Sequence, residues 1–145
     1  MPQDVQPVLN TLLADYQVLY QKLRNYHWNV RGPMFFELHA KFEELYDEAA
    51  LRVDEIAERV GTLGGRPIST LAGALEKARL KEDPGQAGPQ EMVANLVADY
   101  ERLNGHLREA SRKAEKAGDA GTFNLLEGFA DSQEKTVWML KAYLG

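Results

Sequence analysis

The sequence predicts an all-α protein: a four-helix bundle with a short helix in the long crossover between its second and third long helices. Three observations carry that expectation. Apolar residues recur at three- and four-residue steps along most of the chain. Glycine and proline gather at a few breaks, "RGP" at 31–33, "GGRP" at 64–67 and "KAGDAG" at 116–121. No stretch shows the strict alternation of a half-buried strand, and no internal repeat or low-complexity tract is present.

The first helix follows from Val5, Val8, Leu9, Leu12, Leu13, Tyr16, Leu19, Tyr20, Leu23, Tyr26, His27 and Val30, one continuous stripe that "RGP" stops. The second carries Phe35, Leu38, Phe42, Leu45, Tyr46, Ala49, Val53, Ile56, Val60 and Leu63 up to "GGRP". Residues 66–89 then form a connection too long for a hairpin between neighbouring helices. Its middle, roughly 70–80, reads as a short helix with Ser69 as N-cap. Such a crossover lets the second and third long helices run parallel. The third stripe runs from Met92 through Val93, Leu96, Val97, Tyr100, Leu103 and Leu107 to about Lys116. The fourth is Phe123, Leu126, Ala130, Val137, Leu140 and Leu144. The short break between these two makes them antiparallel neighbours.

A chain of 145 residues fits one domain, 1–145, large enough to bury a real core. Its 44% hydrophobic and 27% charged residues are ordinary for a globular protein. No apolar run approaches the roughly 18 residues of a membrane span. The opening "MPQDVQPV" lacks the pattern of a secretory signal, so the cytoplasm is the expected compartment. The absence of cysteine removes disulfides, thiolate metal sites and thiol nucleophiles. A net charge of −5 has the wrong sign for a general nucleic-acid binder and suits attraction of cations.

Two of the three histidines, His27 and His39, flank the stretch "HWNVRGPMFFELH". The Glu-x-x-His pairs that build a di-iron core inside many bundles are missing from the chain. The second helix instead carries a row of acids, Glu43, Asp47, Asp54 and Glu58, stepping four, seven and four. His39 and Asp54 are 15 residues apart on this helix, roughly 22 Å along its axis. Two side chains cannot span that and share one metal with bonds of about 2 Å. The tight "RGP" turn does bring His27 to His39. One chain thus offers histidines at one end and carboxylates at the other, and an antiparallel two-fold partner would join them twice per dimer.

This constellation resembles the Dps family, the miniferritins within the ferritin-like proteins. The likeness lies in "HWNVRGPMFFELHAKFEELYDE" at 27–48, "VDEIAERVGTLGGRP" at 53–67 and the C-terminal "EKTVWMLKAYL", and it covers nearly the whole chain. The resemblance implies a ferroxidase centre at the dimer two-fold, built from His27, His39, Asp54 and Glu58. His27, Asp54 and Glu58 would hold the tighter iron, and His39 with Glu43, directly or through water, the second. It implies a dinuclear iron site cycling between Fe(II) and Fe(III), with hydrogen peroxide or oxygen as oxidant. It also implies a homo-oligomeric hollow shell, a dodecamer of two-fold dimers storing ferric oxide and protecting against oxidative damage. Imidazole and carboxylate suit Fe(II), and carboxylates retain the harder Fe(III).

Other residues carry two readings each. Glu44, Asp47 and Glu48 are candidates for mineral nucleation on the cavity side, or plain surface charge. Asp119 falls where the family lines a three-fold entry pore, but the acid expected five residues later is Asn124 here, with Glu127 or Asp131 as replacements. Trp28 either takes up stray oxidising equivalents or packs at an interface. Trp138 reads as core and His106 as surface. The family name promises DNA binding, yet no Lys or Arg precedes Lys22 and only Lys141 stands near the end. Without a basic tail an acidic shell repels phosphate, so DNA binding is not expected. The competing reading is a nucleoid-compacting structural protein with vestigial iron chemistry.

Overall fold

The computed structural model describes residues 2–145, with side chains from residue 4 onward. Five helices follow one another: α1 Pro2–Asn29, α2 Phe35–Thr62, α3 Leu71–Lys77, α4 Pro89–Lys116 and α5 Ala120–Leu144. No strand occurs among the described residues. The helices α1 and α2 form one antiparallel hairpin, α4 and α5 the other, and the short α3 lies on α1. The expected bundle with its crossover helix is what the chain forms.

The predicted stripes become the core. Leu9, Leu12, Leu19 and Leu23 of α1, Phe42 and Ile56 of α2, and Leu96, Leu103 and Leu107 of α4 are essentially sealed from solvent. Burying each such side chain contributes roughly 1.5–3 kcal/mol. Trp138 departs from expectation, for it is 66% exposed. It follows Val137 by one residue, which rotates it about 100° off the buried stripe of α5.

A polar cluster joins all four long helices halfway along the bundle, where bundle proteins usually build metal sites. Arg52, itself buried, donates from Nη1 to Gln133 Oε1 at 2.7 Å and from Nη2 to Ser132 Oγ at 3.0 Å. Tyr16 also donates to Gln133 Oε1, and Gln133 Nε2 donates to Asn104 Oδ1 at 2.8 Å. The Arg52 guanidinium lies over the Phe129 ring, 5.0 Å from its centroid. A fixed cation surrounded by amides and phenols repels a metal ion, so this part of the interior is closed to one.

The crossover is tied down by two acids, Asp15, which is buried, and Asp83, which is half-buried. Asp15 accepts from the backbone N–H of Arg79 and Leu80 at 2.6 and 3.1 Å, and its other oxygen takes the Arg79 guanidinium at 2.7 Å. This clamp draws Leu80 into the core and ends α3 at Lys77, short of the expected 80. The N-cap is Thr70, whose Oγ1 accepts from Gly73 N at 3.0 Å. Ser69, expected in that role, instead donates to the Pro67 carbonyl at 2.8 Å. Further on, Asp83 accepts from the Tyr26 hydroxyl at 2.5 Å and from Gly85 N at 2.9 Å. Those bonds hold its carboxyl below the usual range. His106, read as surface, is half-buried, with its Nε2 shielded and unpartnered among the described residues. Desolvation and the Arg79 charge push its pKa down.

Candidate metal centre

The turn between α1 and α2 creates the histidine half of the site. Gly32 sits at φ 114°, a conformation that strains any residue with a Cβ. The chain therefore reverses within a few residues and lays the end of α1 against the start of α2. His27 and His39 then bond reciprocally: Nδ1 of each lies 2.7 Å from the backbone carbonyl oxygen of the other. A carbonyl only accepts, so each Nδ1 carries the proton. In the neutral rings the lone pair is left on Nε2, the arrangement that orients a histidine for metal binding.

Ring contacts lock both imidazoles. The two rings stack with centroids 3.7 Å apart and planes 13° from parallel. Phe35 continues the stack on His39, at 4.8 Å and 20°. Tyr46 meets His27 edge-on, at 5.2 Å and 82°. His27 is only 7% exposed, while His39 is half-buried. Glu43 belongs to this end, its Oε1 lying 3.8 Å from His27 Nε2. Partial burial first, then the charges of Glu43 and Asp47, push the Tyr46 hydroxyl above its ordinary pKa. Tyr46 and Phe35 escaped the sequence reading because aromatic residues on an apolar stripe look like core. Only the fold shows them shaping the histidines.

The carboxylate half is different in kind. Asp54 and Glu58 are exposed on α2, one helical turn apart, and neither carboxylate has a partner among the described residues. The residues behind them are firmly held. Arg52 is buried as described, and Arg59 bonds Thr122 Oγ1 at 2.9 Å and Asp119 Oδ1 at 2.6 Å. The helix is unbroken from Phe35 to Thr62, so the two halves stay roughly 22 Å apart along one chain. Among the described residues no group of three His, Asp or Glu is placed to hold a metal ion within a single chain. Large apolar side chains flank this face, Phe36 79%, Leu51 65% and Trp28 56% exposed.

The remaining candidates have distinct surroundings. Glu44 is exposed and pairs with Lys41 at 3.3 Å. Asp47 is exposed and shares a helix face with Glu43, Asp54 and Glu58. Glu48 is half-buried, with Oε1 3.2 Å from Arg52 Nη1, an ion pair without hydrogen-bond alignment. Asp119 is the N-cap of α5: Oδ1 accepts from Thr122 N at 3.0 Å and Oδ2 from Thr122 Oγ1 at 2.5 Å. Burial pushes the Asp119 carboxyl up, but the bonds from Thr122 and Arg59 outweigh it and leave it below the usual range. The expected replacements, Glu127 and Asp131, both pair with Arg108, at 2.6 and 3.0 Å. The Trp28 ring lies beneath Arg24, whose guanidinium also covers Tyr20 and Tyr46 at 4.8–5.5 Å from the three centroids.

Four long helices in two antiparallel hairpins with a short crossover helix are the architecture of a ferritin-like domain, and the ferritin-like family model matches residues 7–145. The chain is 49% identical to a DNA protection during starvation protein of Brevibacillus brevis over 142 residues, covering 98% of this chain and 95% of that one. The crystal structure of a Dps protein from Bacillus brevis superimposes with a TM-score of 0.98, at 48% identity, covering 99% and 97% of the two chains. A Vibrio cholerae Dps structure, described as a member of a broad superfamily of ferritin-like diiron-carboxylate proteins, matches at TM-score 0.96 and 42% identity, covering 99% and 91%. This chain belongs to the Dps family.

Proposed function

We propose that the protein is a ferroxidase and iron store that oxidises Fe(II) at dinuclear sites shared between two subunits. The observation that carries this reading is the separation of two groups of ligands along the rigid helix α2, with His27 brought to its start by the end of α1. His27 and His39 present Nε2 lone pairs at one end, and Asp54 and Glu58 stand unpaired at the other. An antiparallel copy would set the histidines of each chain against the carboxylates of its partner, completing two sites per dimer. The exposed Phe36, Leu51 and Trp28 supply apolar area for that contact. Six such dimers would build the dodecameric shell, in the cytoplasm, with ferric oxide inside.

Iron is the substrate here, and the ligand set fits it. Imidazole nitrogen and carboxylate oxygen bind Fe(II), and the carboxylates hold Fe(III) after oxidation. Two Fe(II) give up one electron each to one hydrogen peroxide. Its O–O bond breaks, and with two protons the products are two waters and two Fe(III). Pairing the electrons in this way avoids the hydroxyl radical that one-electron reduction releases. A cysteine-free protein offers no thiol to the oxidant. Stray oxidising equivalents would meet Trp28 and Tyr46 first.

Subunit complementation tests the reading. His27→Ala with His39→Ala should abolish rapid oxidation, and so should Asp54→Ala with Glu58→Ala. A mixed dimer of the two variants contains one site with intact histidines and intact carboxylates, and one with neither. Co-refolding the two inactive proteins should restore up to half the activity per mixed dimer. Background activity in demonstrably mixed assemblies would overturn the shared site.

The nucleoid-compacting alternative is weighed by DNA retention. The acidic charge and the lack of any Lys or Arg before Lys22 lead to no gel shift of duplex DNA at about 0.15 M salt. A clear shift without bridging metal would favour the alternative.

A further inference from the structure

The two histidines of the half-site are held by different means. His27 is nearly sealed: His39 covers one ring face, the Tyr46 edge abuts it, and Nδ1 bonds the His39 carbonyl. His39 is half-exposed and has no such enclosure. Its ring is fixed by the Nδ1 bond to the His27 carbonyl and by a sandwich, with His27 on one face and Phe35 on the other. Phe35 lies one helical turn before His39 on α2, so its side chain can cover that ring without distorting the backbone. It is itself braced edge-on by Phe36, at 5.4 Å and 75°.

We infer that Phe35 is a positioning residue, one that sets the aim of His39 Nε2 and thereby the affinity of the second metal of the pair. The inference rests on the proposed metal centre and on His39 serving its second position. The physical reason is rotational freedom. A planar ring packed 20° from parallel on the exposed face of an imidazole leaves it little room to turn about its Cβ–Cγ bond. A flexible aliphatic group of similar bulk fills the space but imposes no plane. With Phe35 gone, His39 samples orientations that break the bond from Nδ1 to the His27 carbonyl, and its Nε2 no longer waits in one place. His27 keeps the Tyr46 edge and the bond from Nδ1 to the main-chain carbonyl of His39, neither of which depends on the His39 ring, so the first metal should not respond. The effect is therefore selective, which separates it from a general loss of packing.

Anaerobic Co(II) titration of the full-length assembled protein tests this, reading the ligand-field absorbance for each of the two equivalents per site. In Phe35→Leu the second Co(II) should bind about 10–100-fold more weakly, the usual loss when an orienting partner of a metal ligand is removed. The first should be unchanged. Phe35→Tyr keeps the flat face and should bind both as the native protein does. Phe35→Met, which retains bulk without a plane, should behave like Phe35→Leu and reads the same quantity if the leucine variant fails to assemble. Equal second-metal affinity in Phe35→Met and Phe35→Tyr, or an equal loss of both metals, overturns the role. Native protein that takes up no Co(II) in two steps defeats the metal-centre reading together with this one. Normal two-step native binding with an unaffected Phe35→Leu defeats only this one.

Discussion

The histidine end and the carboxylate end of α2 are built on opposite plans. The histidines are fixed by one another, through reciprocal bonds of 2.7 Å and a ring stack that Phe35 and Tyr46 close. Asp54 and Glu58 have no polar partner among the described residues but sit on a helix anchored from behind, by Arg52 two residues before and Arg59 one residue after. The difference follows from the ligands. A neutral imidazole can be packed and aimed before metal arrives, because burying it requires only that its N–H find an acceptor. A pair of carboxylates cannot be buried without a cation, since desolvating unpaired charge costs several kcal/mol. The histidine pair is therefore finished within the chain, while Asp54 and Glu58 stay in water, where the proposed shared centre would have a partner and iron cover them.

The contrast can be broken most severely by single substitutions at the two ends. His27→Ala and Asp54→Asn should each slow Fe(II) oxidation about 10–100-fold, as stopped-flow ferric absorbance would show. A variant at either end that oxidises at the native rate removes that residue from the site.

Stability should then divide the two ends. His27→Ala removes the side-chain bond to the His39 carbonyl, which keeps only its helical partner, and vacates one side of the ring stack, and should destabilise the metal-free protein by about 1–3 kcal/mol. Asp54→Asn with Glu58→Gln should be neutral or stabilising, because it removes carboxylates that have no partner among the described residues. Denaturant unfolding of both metal-free variants measures this. Equal losses would mean that the carboxylates are as much part of the fold as the histidines.

The smallest expected effect concerns the anchor behind the carboxylate end. Asp119→Asn keeps an N-cap for α5 but loses the charge facing Arg59, at about 1–2 kcal/mol near neutral pH. Asp119 has a depressed pKa in the folded protein, so its contribution is complete above the unfolded carboxyl value of about 3.9. It is lost as pH falls through the lower folded value. The stability gap between the native protein and Asp119→Asn should be constant from neutral pH down to about 4 and close below it. A gap that persists at still lower pH would mean that the charge contributes nothing.

Periodicity alone determined the four long helices, their breaks and the place of the crossover, because amphipathic stripes of 25–28 residues leave no other way to bury their apolar faces. The spacing of His27, His39, Asp54 and Glu58 was equally legible. Helical rise fixes how far apart two residues lie on one helix, and that arithmetic keeps His39 and Asp54 of a single chain from sharing one metal. Tertiary structure decided what each polar group does once the helices meet. Asp119 and Glu48 look like free acids in the sequence and are bound to Arg59 and Arg52 in the fold. The cap of α3 is Thr70 because Ser69 turns back to the Pro67 carbonyl, and α3 stops at Lys77 because Asp15, more than sixty positions away, claims the backbone of Arg79 and Leu80. Trp138 looked like core because its size outweighed its position, and one residue of helical rotation put it outside. The stacking of Phe35 on His39 and of His39 on His27 needed the turn at Gly32 as well as the helices. Local periodicity is written in each segment, but which side chain finds which partner is settled only when segments distant in sequence are packed together.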